Sequence, residues 1–455
     1  GHINVIGRFF SAFFSTMTLI PLYFLGKKIA GEKVSLLACT FFTFTVSSIQ
    51  TAHYAVTESF ITLVIVSICA VTLNIKKHNV FNSFLIGALL GIGAAAKTTS
   101  VSFIIVPAIA YLPYLFHLRK NLLKFGYLFF TILIAFIFFT SLSPYTYLDS
   151  QKFLESMRYE QGVATGTLPV VYTLQFDHTI SYLFQISNLF WQIGPIFILS
   201  ILGFLLCVYK ALVKRDIKFL IFIIFPILYF LYIGSWHTKF LRYMVPTIPF
   251  LIISAAILLN EIQKKLRTLG SALIILSLTL TMLYALAFFS IYQRPSTRIA
   301  ASEWMYENIK PGSKILGEQW DDGLPVSIGE NNYSKFQTVQ LAMYDTDNEQ
   351  KIDYLSSYLS DSDYFVFNSR RLYGTLIHLE DKYPITSRYY KLLFAEKLGY
   401  KKIKEFTSYP SLFGLELNDD LSEETFQVYE HPKVIIFKNA EKLNEAKFKE
   451  ILGNG

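Results

Sequence analysis

Apolar residues in this chain fall into long uninterrupted runs, where a soluble fold would show short alternations. Ten runs, at about 5–25, 34–52, 59–74, 80–96, 99–116, 125–142, 186–209, 218–233, 244–260 and 269–291, approach the ~20 residues a helix needs to cross a hydrocarbon core. Each predicts a transmembrane helix. Beyond about residue 293 the pattern changes, as Pro, Gly, Asp and Glu break the runs into short pieces. "KILGEQ" (314–319), "DYFVFNS" (363–369) and "VYEHPKVIIFK" (428–438) predict strands, the last as a tight hairpin about His431 and Pro432. "TRIAASEWMYENI" and "SRYYKLLFAEKLG" carry helical spacing, the second closed by Gly399. The expected fold is a polytopic α-helical membrane protein over 1–292, followed by an α/β domain over 293–455.

Composition agrees, with 53% hydrophobic and 16% charged residues among 455. Cys39, Cys69 and Cys207 all lie inside apolar runs, which argues against a disulfide framework or a thiolate metal site. The chain opens Gly1-His2 with no charged leader before the first run, so the native protein is expected to start further upstream.

Charge orders the spans. Alternate connections carry Lys27, Lys28 and Lys33; Lys76 and Lys77; Arg119, Lys120 and Lys124; Lys210, Lys214, Arg215 and Lys218; and Lys264, Lys265 and Arg267. The other connections hold only Lys97, Lys152, Arg158, Lys239 and Arg242, although they include the longest loop. The positive-inside bias puts the first set in the cytoplasm and the C-terminal domain outside. The net charge of +8 is then mostly a topology signal, and nucleic acid is not an expected partner.

The predicted outer connections hold His53, Tyr54 and Glu58 in "TAHYAVTESF", Lys97 in "GIGAAAKTTS", Tyr145 in "SPYTYLDSQKFLESMRYEQG", and His237, Lys239, Arg242 and Tyr243 in "GSWHTKFLRYMV". Ionisable groups at membrane depth are functional candidates by default. Each also has an ordinary reading. Glu58 can cap a helix start, Lys97 can snorkel, Lys239 and Arg242 can anchor the interface, and Trp236 and Tyr243 suit an aromatic belt. "GIGAAAKTT" is not a phosphate loop, because Ala96 replaces the second glycine and no strand precedes it.

A lipid phosphate suits this set. Arg242 can fork two hydrogen bonds to phosphate oxygens while Lys97 and Lys239 add point charges, stabilising a departing phosphate. A carboxylate such as Glu58 can assist as acid or base toward an acceptor hydroxyl.

The order of these motifs resembles GT-C membrane glycosyltransferases, the superfamily of protein O-mannosyltransferases and lipid A aminoarabinose transferases, particularly bacterial and archaeal mannosyltransferase-like members. "GRFFSAFFSTMTLIPLYFLGKKIAG", "HYAVTESF", "GIGAAAKTTS", "SPYTYLD", "VYTLQFDHT", "KFLRYMVPTIPF", "ASEWMYENIKPGSKILGEQWDDGLP" and "FQVYEHPKVIIF" carry the resemblance over nearly the whole chain. It implies an inverting transfer of a sugar, a hexose, from a polyprenyl phosphate to a protein, lipid or glycan acceptor at the outer face of the plasma membrane. It also implies that the principal catalytic acid lies in a first outer loop upstream of Gly1, leaving Glu58 an assisting role and this chain inactive alone. His53, Tyr54, Tyr145, His237 and Tyr243 become substrate-binding candidates. No cofactor is required by these residues, and a divalent metal is left open. Glu318, Asp321 and Asp322 in "EQWDD" can bind a cation or a sugar, or simply serve a turn.

Two other classes compete. A transporter or flippase of lipid-linked saccharides would also want many spans and outward cations, but would show paired halves with charge near the midplane. A membrane-anchored sensor would leave the loop charges without a role.

Overall fold

The computed structural model describes residues 2–74, 79–115 and 122–453, with side chains for 3–74, 79–112 and 126–453. Lys76, Lys77, Arg119 and Lys120, and the side chain of Lys124, lie outside the described residues. The chain divides into two compact units, one of residues 1–165 and 180–286, the other of residues 166–179 and 287–455.

Helix occupies all ten apolar runs wherever they are described. Among the described residues, five helices are long and apolar enough to cross a membrane: Ile3–Ala30, Leu183–Leu212, Ile217–Gly234, Leu241–Lys265 and Arg267–Asn308. A sixth candidate is a broken pair, Glu32–Thr43 and Val46–His53, bent by 52°. The break follows Thr40, Thr43 and Thr45, whose hydroxyls each donate to a carbonyl four residues back and so loosen the helical ladder. The remaining apolar helices, Glu58–Thr72, Val80–Ala96, Thr98–Leu112 and Gly126–Leu142, are shorter.

Lipid supplies no hydrophobic drive between helices, so they associate by close packing. Gly87 and Gly91, one turn apart, show how. A Cβ on Gly87 would sit 2.5 Å from the Thr131 carbonyl oxygen, and one on Gly91 2.4 Å from that of Ala135. The two glycines let the Val80–Ala96 helix lie against the Leu122–Leu142 helix, whose other face exposes Phe129, Ile132, Leu133 and Phe136. Such bare apolar stripes need lipid to cover them, and the chain is a multi-pass membrane protein. Leu241–Lys265 is the most enclosed span, 83% buried, with Phe250 packing on Phe222 and Phe225.

Basic residues gather at one end of this unit. Lys28 Nζ donates to the Ala70 carbonyl, Lys33 reaches Gln263, and Lys210 and Lys264 pair with Glu261. Ala70 lies twelve residues, ~18 Å of helix, from Glu58 at the other end of the same helix.

The second unit is built on a five-stranded sheet. Its strands are β1 (Lys314–Glu318), β2 (Gln337–Leu341), β3 (Tyr364–Phe367), β4 (Tyr400–Phe406) and β7 (Val434–Asn439), in the order β2-β1-β3-β7-β4. β1 runs parallel to β2 and β3, while β7 is antiparallel to β3 and β4. β5 (Ser411–Leu412) and β6 (Leu415–Glu416) form a separate small hairpin. β1, β3 and the Thr297–Asn308 helix lie where the sequence predicts them. The hairpin expected about His431 does not form: residues 427–430 are turn and 431 a bend, and β7 instead pairs with β3 and β4. His431 is buried there with Nε2 at 2.7 Å from Asp419 Oδ2, and a polar partner at that point displaces a strand edge. The Pro384–Phe394 helix ends before Gly399, which takes φ +73° beyond a short turn.

The segment 166–179 is part of this second unit. Leu174 is buried in its core, Tyr172 packs on Trp320, and Asp177 accepts from Lys382 at 2.7 Å.

Candidate functional site

Glu58 is the first residue of the Glu58–Thr72 helix, and Lys97 caps the C-terminal end of Val80–Ala96. A helix N-terminus favours the carboxylate and a C-terminus the ammonium, so the backbone supports both charges before they meet. Lys97 Nζ donates to Glu58 Oε1 at 2.7 Å. Glu58 is only 3% exposed, and Lys97 keeps a quarter of its side chain open. Thr57 makes no side-chain cap, so Glu58 does not merely start a helix: its carboxylate is spent on Lys97.

Lys97 reaches its partner because the helix stops at Ala96. Its backbone turns extended, at φ −155° and ψ 121°, before the 3-10 helix Thr98–Ile104 begins. Gly93, one turn earlier, faces Val64 closely enough that an added Cβ would stand 3.1 Å from Cγ1, which holds the two helices together below the ion pair.

The third contributor is the turn before the most enclosed span. Thr238 donates its backbone N–H to the Ala164 carbonyl, and Gln192 donates to the Leu241 carbonyl, fixing the 3-10 helix Leu241–Thr247. Tyr243 is thereby set with its ring centroid 5.7 Å from Lys97 Nζ and 5.8 Å from Arg242 Cζ. One aromatic ring therefore stands within cation range of both. Arg242 is exposed, also lies over Phe240, and pairs with no carboxylate among the described residues. A guanidinium held by two rings and no counter-ion is open to an anion.

The other predicted residues divide. Lys239 is 2% exposed, and its amine donates to the His237 carbonyl at 2.8 Å. His53 ends the Val46–His53 helix and donates from Nδ1 to the Ile49 carbonyl, and Tyr54 follows in extended backbone. Tyr145 is 74% exposed in the short helix Tyr145–Leu148. Two features carried no sequence signal. Tyr229 lies within electrostatic reach of Glu58 and Tyr243, and Ser59 and Thr62 join Ser15, Thr18, Ser47 and Thr51 around a small hydroxyl-lined crevice. Both come from residues that read as ordinary span positions.

No group of three or more His, Cys, Asp or Glu residues gathers to hold a metal among the described residues. Glu318 and Asp321 take different partners. Burial pushes the Glu318 carboxyl up to about 8, against its hydrogen bond from Tyr390. Asp321 is bound by Arg371 at 3.0 Å and Arg298 at 3.4 Å, and the Asp322 carbonyl accepts from Asn368. Glu424, which shares Arg371, is raised by burial to about 7. These residues brace the loop after β1.

No family model matches this chain, and no curated protein matches it in sequence. Solved structures resemble it loosely. An oligosaccharyltransferase from Archaeoglobus fulgidus, tethered to an acceptor peptide with an NVT sequon, has TM-score 0.46 and 13% identity over 84% of this chain. The chain spans 60% of that protein's length. ArnT from Cupriavidus metallidurans, bound to undecaprenyl phosphate, has TM-score 0.47 and 12% identity over 96% of this chain and 85% of its own. The arabinofuranosyltransferase AftD from Mycobacteria has TM-score 0.40 and 11% identity, over 96% of this chain and 35% of its own.

Proposed function

We propose that this chain is a glycosyltransferase that moves a sugar, a hexose, from a polyprenyl phosphate to an acceptor hydroxyl at the outer membrane face, with inversion. The observation that carries the reading is the meeting of Arg242, Lys97 and Glu58 about Tyr243: an open guanidinium and a second cation beside a buried carboxylate. In this reading Arg242 receives the donor phosphate through paired hydrogen bonds. Lys97 shifts from Glu58 toward the phosphate oxygens, leaving the carboxylate free to accept a proton. The acceptor oxygen attacks the anomeric carbon, the bond from that carbon to the phosphate oxygen breaks, and the phosphate departs with the bonding pair. The hydroxyl proton passes to a general base, a role in which Glu58 assists.

The separation of charges supports the sidedness. In this reading the basic residues clustered at Ala70, Glu261 and Gln263 lie at the cytoplasmic end and Glu58 at the opposite one, and the four shorter apolar helices are counted with the six longer candidates as ten crossings. The test uses the native full-length protein in vesicles with a radiolabelled polyprenyl-phosphate hexose. Labelled acceptor formed by the wild type and lost with Arg242→Ala supports transfer. Passage of intact donor across the bilayer without product would make the chain a transporter and overturn it.

A further inference from the structure

The small β5–β6 hairpin is an odd surface feature for a soluble unit. Its turn places Phe413 at φ +53° and Gly414 at φ +82°, the two left-handed positions of a tight two-residue hairpin. Glycine suits such a position. A phenylalanine does not, and Asn or Asp would serve the turn better. Nor does its ring repay the strain by packing, since Phe413 is 89% exposed. Leu415 is 75% exposed and Leu417 41%, on the same side of the alternating strand, and Leu421 is 89% exposed just beyond. Four bare apolar side chains within nine residues have no folding purpose.

The base of this hairpin explains where it sits. Ser411 donates its backbone N–H to Ser290 Oγ at 3.1 Å, and Arg294 donates to the Tyr409 carbonyl at 3.3 Å and to Ser411 Oγ. Ser290 is the residue directly after the apolar Arg267–Phe289 helix, and Phe289, the last of that helix, is itself 41% exposed. The hairpin is thus fastened to the residues that directly follow an apolar helix. A surface tied there meets headgroups and acyl chains.

The geometry points to the β5–β6 hairpin as a membrane-dipping anchor, with Phe413, Leu415 and Leu421 seated in the outer part of the bilayer. The occupant is lipid rather than a second protein because the hairpin's base is bonded to Ser290 and Arg294, directly after an apolar helix long enough to span. Apolar area entering the interface would fix the second unit by a second attachment besides the chain itself. This inference rests on the helix being a span and is independent of the transfer reaction.

The test places p-benzoylphenylalanine at position 413 of the full chain in dioleoylphosphatidylcholine vesicles, and at Tyr333 as control. Tyr333 is 57% exposed and precedes β2, at the sheet edge opposite β4. After irradiation, mass spectrometry should find lipid adducts at 413 in several-fold excess over 333, in preparations whose unfolding midpoints match the wild type. Chain-to-chain adducts at 413, equal lipid labelling at both positions, or no lipid adduct at 413 would overturn the proposal.

Discussion

Lys97 and Glu58, thirty-nine residues apart in sequence, meet at 2.7 Å where one helix ends and another begins. The carboxylate is almost wholly enclosed, and the ammonium is its ion-pair partner. Lys97→Ala therefore strands a buried charge and should destabilise the full chain by about 3 kcal/mol, whereas the Glu58→Ala/Lys97→Ala double change should recover much of that loss. Thermal unfolding in detergent reads the cycle. Additive losses would mean that the two groups do not depend on each other.

Arg242 and Arg267 offer a paired comparison. Both are exposed arginines, but Arg242 borders Tyr243 while Arg267 follows the basic end near Gln263. Arg242→Ala should lower donor use roughly a hundredfold, the scale of losing one strong donor to a developing anion. Arg267→Ala should leave the rate near wild type. Transfer rates that fall alike in both variants would remove Arg242 from the phosphate site.

Glycine at 91 is a packing requirement. An added side chain meets the Ala135 carbonyl, backbone that cannot step aside alone. Gly91→Leu should cost about 1–3 kcal/mol or more and lower the unfolding midpoint, while Gly126→Leu, in open space, should not. Equal midpoints would show that the Val80–Ala96 and Leu122–Leu142 helices do not touch as described.

Glu318 should make the second unit pH-sensitive. Its folded pKa of about 8 lies above the ordinary 4.5. Below that ordinary value both folded and unfolded chains keep the proton, and the group is neutral to stability. As pH rises toward 8 the unfolded chain releases its proton while the folded one holds it, so stability falls across this window. Glu318→Gln, which retains an acceptor for Tyr390, should lack this component and be the more stable at pH 7.5. Parallel midpoint curves from pH 5 to 8 would contradict the assignment.

Much of the helical unit was legible because lipid imposes a simple rule on composition, and residues 218–233 or 244–260 obey it. What could not be read was where a run breaks. The kink after Phe44 comes from threonine hydroxyls that choose carbonyl partners only in the folded chain. Glu58, Lys97, Arg242 and Tyr243 stood out as rare polar residues near apolar runs, yet their convergence depends on Gly93 and on the seat of the 3-10 turn, which are three-dimensional facts. Lys239 looked equivalent to Arg242 from three positions away, but one side chain folds back onto its own backbone and the other faces out. In the second unit β2 and β4 escaped notice because their exposed, lysine- and glutamine-bearing faces lack the apolar density of β3 and β7.

The route of the chain through residues 166–179 sets a limit on dissection. A cut near residue 287 would carry away the sheet but leave behind the strand of sequence that supplies Leu174 and Tyr172 to it. Each product would then own half of an apolar seam, the shorter one with a hole and the longer one with a greasy tether. Synthesis meets the same difficulty: Tyr172 in the early loop must wait for Trp320, 148 residues later (320 − 172), before its side chain finds cover.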